Sequence, residues 1–186
     1  ITGIKNIVEI FSGPTSQINR SVPGYTPSEA RILNIEIEDY VQAGGNGVMG
    51  VQGNALQLPI ASNSIDEVFV TNPFVEPFRE DPNFHELANN FKLSYFREIA
   101  RVLQNNGRVN VTGARSNPFA RVIGGDAKLL PELREMGFRI ENFQRGVSPY
   151  TPLHPGLQGG AFGRPDGNLS AIDPTALRSI TLIYGG

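Results

Sequence analysis

The chain contains no cysteine and no tryptophan, and only two methionines and three lysines. Without cysteine there is no disulfide, no thiolate metal ligand and no cysteine nucleophile. No apolar run approaches the ~18–20 residues that a membrane span needs. The first residues lack the charged and apolar regions of a signal peptide. Also missing are a Cys/His cluster, a Gly-Lys-Ser/Thr phosphate loop, a Gly-x-Ser-x-Gly elbow and a Gly-x-Gly-x-x-Gly after the first strand. Neither a metal nor a nicotinamide cofactor is therefore expected.

What is present is an ordinary globular composition of 39% hydrophobic and 18% charged residues in a chain of 186, enough for one domain with a sizeable core. The chain opens on Ile1 rather than Met, which points to excision from a longer protein or to processing. The net charge of −2 conceals an asymmetry: residues 1–96 hold 5 Lys/Arg against 11 Asp/Glu, and residues 97–186 hold 11 against 7. Of the 16 bases 13 are Arg, whose planar fork suits phosphate and carboxylate. A solvated surface accounts for this pattern. The sharper reading is an anionic partner, nucleic acid included, on the Arg-rich C-terminal half.

The periodicities predict alternating strands and helices. Asn6–Phe11 is a short apolar run stopped by Ser12-Gly13-Pro14 and reads as a buried strand ending in a turn. Gln17 to Arg20 leaves room for one short helical turn. Further strands are expected over Arg31–Ile37, Val48–Val51, Ile65–Thr71, Arg108–Thr112, Phe138–Phe143 and Ser179–Tyr184. Phe84–Leu103 has helical apolar spacing, closed by Asn105-Asn106-Gly107, and a second helix is expected over Asp126–Met136. Residues 146–176, with 5 Pro and 6 Gly, form a long Pro/Gly-rich loop of the kind that is functional or disordered in compact domains.

Two segments carry a family resemblance. Val51-Gln-Gly-Asn-Ala-Leu-Gln-Leu-Pro-Ile-Ala-Ser-Asn-Ser-Ile-Asp-Glu-Val-Phe-Val-Thr-Asn72 resembles the middle of a class I S-adenosylmethionine (SAM) methyltransferase. There a strand ends in Asp/Asn-Ala, an "LPF" loop follows, and the next strand reads Asp-x-Val-Phe. Phe96-Arg-Glu-Ile-Ala-Arg-Val-Leu-Gln-Asn-Asn-Gly-Arg-Val-Asn-Val-Thr112 resembles that family's "REIARVLKPGGR" passage from helix to strand. The resemblance covers roughly residues 6–145 plus the last strand. It implies an α/β, Rossmann-like, seven-stranded SAM-methyltransferase fold: a mostly parallel sheet with helices on both faces.

The site residues follow from the resemblance. In open α/β sheets the ligand sits at the carboxyl ends of the strands, where the strand order reverses. Glu9-Ile10-Phe11-Ser12-Gly13 resembles the family's acidic residue followed by Gly-x-Gly-x-Gly. Gly13 stands, while Phe11 and Thr15 replace the outer glycines. Phe-x-Gly occurs here in cytosine-C5 methyltransferases, whose chemistry the lack of cysteine excludes. Glu36 aligns with the acid that holds the ribose diol, since one carboxylate offers two oxygens. Asn54-Ala55 stands where Asp-Ala meets adenine, with Leu56 and Leu58 as walls or as plain core. Thr71, ending its strand, completes the expected cofactor set. Thr71-Asn-Pro-Phe74 looks like a shortened Asn/Asp-Pro-Pro-Phe/Tyr motif of amino-group methyltransferases, which gives Asn72 and Phe74 to the methyl acceptor. His154 in the long loop is a candidate base, with Tyr150 and Arg164 as substrate contacts, and His85 reads as a surface or capping residue.

The function implied is SAM-dependent methyl transfer to the amino group of an unidentified small molecule, protein or nucleic acid. The alternative is a methyltransferase-like binding or effector domain that no longer methylates. Such a domain would be a C-terminal toxin of a larger secreted bacterial protein, delivered to act in the cytoplasm and held in check by an immunity protein.

Overall fold

A computed structural model describes residues 3–11, 16–36, 47–71, 81–114, 117–145 and 177–186. Seven strands form one sheet in the order β3-β2-β1-β4-β5-β7-β6. They are β1 (Lys5–Ile10), β2 (Ala30–Glu36), β3 (Val48–Gln52), β4 (Ile65–Thr71), β5 (Leu103–Ala114), β6 (Phe138–Arg145) and β7 (Leu177–Tyr184). The chain enters at the centre, winds outward through β2 and β3, then crosses to the far side of β1 to build β4 and the rest. The strand order therefore reverses between β1 and β4.

The expected "mostly parallel" sheet is instead mixed. The first four pairings are parallel, but β7 runs antiparallel to both β5 and β6. The apolar alternation that reveals a strand carries no direction, so the sequence pattern could not distinguish the two.

Helices on both faces were also expected. Among the described residues there are two α-helices, α1 (Phe84–Val102) and α2 (Pro131–Glu135), and both pack on the same face. Ala88, Tyr95, Phe96, Ile99 and Val102 of α1 and Leu133 of α2 join Val8, Ile10, Val68, Val70, Val109 and Val111 of the strands in the larger core. On the other face Ile7, Ile32, Val48 and Phe69 pack with Ile18 and Tyr25 of the segment between β1 and β2. That segment is a series of turns rather than the helical turn expected at Gln17–Arg20. Pro23, Gly24 and Pro27 supply the reason.

The second helix is shorter than its apolar pattern. Gly125–Ala127 is a single 3-10 turn with Asp126 at φ 57°, and the helix proper starts only at Pro131. Proline is suited to that first position, where no N–H is needed.

The two segments that carried the resemblance are bonded to each other. Arg101 donates from Nη1 to the Ile60 carbonyl at 2.9 Å and from Nη2 to the Leu58 carbonyl at 3.1 Å. Glu98 accepts the Leu58 N–H at 2.7 Å and braces Arg101 at 2.6 Å. The last turn of α1 thus clamps the loop between β3 and β4, and that loop delivers β4 to the switch point.

Candidate functional site

Side chains alternate along a strand, and the pairing registers align the alternation across the sheet. The face opposite α1 accordingly carries Asn34 and Glu36 on β2, Glu9 on β1, Thr71 on β4, Thr112 on β5 and Ser179 on β7. All six are buried, with exposures from 0% to 6%. A buried polar row this long, crossing the strand-order reversal at the carboxyl end of the sheet, is costly unless its groups are bonded.

Two of its atoms are not. Among the described residues, Glu9 Oε2 and Thr71 Oγ1, both fully buried, meet no hydrogen-bond partner. They lie on neighbouring strands, one on each side of the switch point. The other Glu9 oxygen, Oε1, accepts the Gln17 N–H at 2.8 Å. Burial pushes the Glu9 carboxyl up to about 7, and the charge of Glu36 adds to the rise. Hydrogen bonds from the Ser16 side chain and from the Gln17 and Ile18 main chain oppose it. Thr112 Oγ1 donates at 3.5 Å to the Val70 carbonyl, a long and weak bond.

Phe11 follows β1 directly, with φ 63°. This left-handed conformation favours glycine and costs a side-chain-bearing residue ~1–3 kcal/mol. Phe11 thus has a backbone conformation that glycine adopts readily, at the position where the resemblance expects a glycine. The Phe11 ring is placed against Tyr95 and Phe91 of α1, at centroid distances of 5.8 and 6.5 Å.

Of the residues expected to bind cofactor, Glu9, Glu36 and Thr71 share the face opposite α1 at the carboxyl ends of their strands, whereas the Phe11 ring turns to the α1 face. Asn54 is exposed, and its Oδ1 accepts the Leu56 N–H at 2.9 Å, closing a local turn. One of the two lone pairs of that oxygen is thereby used in the turn. Ala55 and Leu58 are buried in the larger core, and Leu56 is exposed. Gly13, Asn72, Phe74, Tyr150, His154 and Arg164 lie outside the described residues. His85 is exposed on the first turn of α1 beside Phe84. Thr112 and Ser179 were missed as members of the polar row. Their signal was present in the alternation of Arg108-Val-Asn-Val-Thr112 and Arg178-Ser-Ile-Thr181, where a fully covered sheet would have apolar residues throughout.

Among the described residues no group of acidic or histidine side chains could hold a metal ion, and no helix is long and apolar enough to cross a membrane.

No family model and no curated protein matches the sequence. Solved structures match the fold. The 16S rRNA methyltransferase KamB superimposes with a TM-score of 0.66 at 14% identity, over 100% of this chain and 90% of that one. The aminoglycoside resistance methyltransferase NpmB1 gives 0.62 at 13% identity, over 98% and 88%. The [4+2]-cyclase SpnF gives 0.53 at 17% identity, over 100% and 76%. At these identities the likeness is one of fold.

Proposed function

We propose that this chain is a SAM-dependent methyltransferase whose cofactor lies across the carboxyl ends of β2, β1 and β4. The observation that carries the reading is the pair of unpartnered buried atoms, Glu9 Oε2 and Thr71 Oγ1, flanking the switch point. Native proteins rarely leave such groups unpaired unless a ligand or ordered water completes them. The fold shared with methyltransferases supports the same cofactor.

The donor set fits the group. Glu9 offers a carboxylate oxygen to a cationic or N–H-bearing part of the ligand. Glu36, at the end of β2, carries a carboxylate, the kind of group to which a vicinal diol donates. Thr71 can donate or accept, and its strand leads directly into Asn72 and Phe74, the expected acceptor contacts. SAM, when bound, supplies a methyl group on a sulfonium leaving group, so the protein's share is binding, orientation and exclusion of water. The acceptor is an amino group, which Asn72 would hold through its amide oxygen while the Phe74 ring lies against a planar substrate.

A second reading, in which the fold binds without methylating, is favoured by two observations. Asn54 Oδ1 accepts a local main-chain N–H, and a cyclase shares the topology. The effector expected from the sequence belongs to this reading, and expression inside cells with and without a neighbouring-gene partner tests it.

Calorimetric titration with S-adenosylhomocysteine separates the two readings. Micromolar binding is the expected result. No heat at millimolar ligand would end the methyltransferase reading.

A further inference from the structure

Two irregularities of strand register open onto one cavity, at the amino edge of the sheet on the face opposite α1. In the first, β5 runs from Leu103 to Arg108 while β4 advances only from Ile65 to Glu67, so Gln104–Gly107 stand against the single residue Asp66. In the second, β6 advances from Ile140 to Asn142 where β7 moves by one residue, from Leu182 to Thr181. Consecutive residues of a regular strand point to opposite faces. Here Asp66 and Glu67 line the same cavity, and so do Glu141 and Asn142. Asn106, exposed at the rim, holds a left-handed φ of 64°. Bulges re-aim side chains beside binding sites, and strain in a non-glycine backbone clusters at such sites. The three departures converge on a space of about 640 Å³, inside the range of roughly 300–1,000 Å³ found for ligand sites. Two of the lining side chains, Glu67 and Thr181, are more than nine-tenths buried.

We infer that this cavity is a second ligand site, for a neutral polyhydroxylated molecule of the saccharide class. It lies at the opposite end of the sheet from Glu9 and Thr71 and does not depend on the methyltransferase reading. The chemistry of the lining selects the class. Every described residue in it carries a hydrogen-bonding side chain, whereas most small-molecule sites are walled by apolar ones. Its charges already face one another. Lys5 Nζ lies 3.3 Å from Glu67, and Arg108 forks onto Glu141 at 2.8 and 2.9 Å. Asp66 accepts the Asn6 N–H at 2.7 Å and the Gln104 amide. Neither a compact anion nor a polyamine therefore meets a wall of uncompensated opposite charge. Among the described residues no acidic group could hold a metal ion. What the wall offers is a dense mixture of acceptors and donors, with the carboxamides of Asn106 and Asn142 supplying both. Vicinal hydroxyls are complementary to it, because each can donate to one group and accept from the next.

The test is a nitrogen-15 NMR titration of the full chain with a panel of probes at millimolar concentration. The panel holds glucose, galactose, mannose, xylose and ribose, the disaccharides maltose, cellobiose, lactose, sucrose and trehalose, and sodium phosphate and spermidine as charged controls. Saturable amide shifts centred on Gln104–Arg108 and Glu141–Asn142 are expected with at least one sugar. Asn106→Gly removes a carboxamide and keeps a backbone that glycine adopts freely, and Asn142→Ala removes the second. The double variant should bind that sugar at least ~5-fold more weakly, the scale of two lost hydrogen bonds. Its melting temperature and its affinity for S-adenosylhomocysteine should stay as they were. Sugar binding without S-adenosylhomocysteine binding would uphold this site while ending the methyltransferase reading, and the reverse result would do the opposite. The inference is overturned if no sugar gives saturable shifts in the cavity, or if the double variant binds as tightly as wild type. Tighter binding of phosphate or spermidine at the same residues would overturn it too, since the cavity would then select charge rather than hydroxyls.

Discussion

The main-chain N–H of Gln17 donates to Glu9 Oε1 at 2.8 Å, while Glu9 Oε2, on the same buried carboxyl, receives no donor. Half of this group is committed to fixing the segment after β1, and half is left for something else. The carboxyl is held at about 7 against an ordinary 4.5, so the folded chain binds this proton more tightly than the unfolded chain. The contribution of Glu9 to stability is therefore greatest when it is protonated. It falls as pH rises from 4.5 to about 7 and is level above that. Glu9→Gln should remove the slope and raise stability at pH 8 by up to roughly 3 kcal/mol, at 1.36 kcal/mol per pKa unit. It should change little at pH 4. Chemical denaturation at the two pH values reads this directly, and parallel pH profiles for variant and wild type would contradict it.

The same titration should govern ligand binding. A cationic group placed against Glu9 favours the ionised carboxylate, so affinity for S-adenosylhomocysteine should rise with pH up to about 7 and then level off. Binding near neutrality should also release a proton. Calorimetry in buffers of different ionisation enthalpy measures that proton, and a buffer-independent heat would separate Glu9 from the ligand.

Glu36 acts on the site in two ways. Its charge is one of the causes that raise Glu9, and its carboxylate is the candidate diol contact. Glu36→Ala should weaken S-adenosylhomocysteine by ~1–3 kcal/mol, the scale of a lost charge-assisted hydrogen bond. It should also move the pH dependence of binding to lower pH. Unchanged affinity would remove Glu36 from the site, whereas lost affinity with an unmoved pH profile would mean that the two acids do not sense each other.

Thr71 has a buried hydroxyl with no partner among the described residues, and an unpaired hydroxyl costs ~1–3 kcal/mol in the ligand-free chain. Thr71→Val replaces the hydroxyl with a methyl group of similar volume. The variant should be more stable than wild type without ligand and should bind S-adenosylhomocysteine less tightly. A variant less stable than wild type would mean that the hydroxyl is satisfied in solution by water.

Much of this fold was legible because strands and α1 announce themselves by period. β4 was located at both ends, and α1 ends at Val102, one residue before its expected limit at Leu103. β5 was harder. It was expected from Arg108, yet the strand already begins at Leu103, with a register irregularity opposite β4. Asn106 has φ 64°, and a Cβ on Gly107 would come within 2.8 Å of Leu103 Cδ2 and 2.9 Å of the Gln104 carbonyl. The Asn-Gly signal was therefore genuine, but it marks a kink inside a strand rather than the end of a helix. Glu9 and Glu36 were singled out by their places at strand ends in the resemblance, and both are buried there. The alternation within β5 and β7 marks one polar side of each strand, but that these sides meet Thr71 on one face depends on register between strands distant in sequence. Phe11 shows the opposite limit. The resemblance expects a glycine there, and although the residue is Phe11 its backbone is left-handed, at φ 63°, which no side-chain pattern announces.

The segment between β1 and β2 is held to the sheet at two buried glutamates. At one end is the Gln17–Glu9 bond. At the other, the Tyr25 hydroxyl lies 3.1 Å from each oxygen of Glu67, which also takes Asn110 Nδ2 at 2.6 Å and Lys5 Nζ at 3.3 Å. Burial and the adjacent carboxylate hold the Tyr25 phenol protonated far above its ordinary range, so it remains a donor at every working pH. Tyr25→Phe deletes that donor and leaves the ring packed on Phe69. A lost hydrogen bond to a buried carboxylate costs ~1.5–3 kcal/mol, so the melting temperature should drop by several degrees, at roughly 2–4 °C per kcal/mol for a chain of this size. Because the same segment positions the Gln17 N–H on Glu9, the loosened anchor should also weaken S-adenosylhomocysteine, though by less than Glu36→Ala does. An unchanged melting temperature would mean that Lys5 and Asn110 suffice for Glu67. A lower melting temperature with full affinity would mean that the two anchors act independently, with the cofactor end held by Glu9 alone.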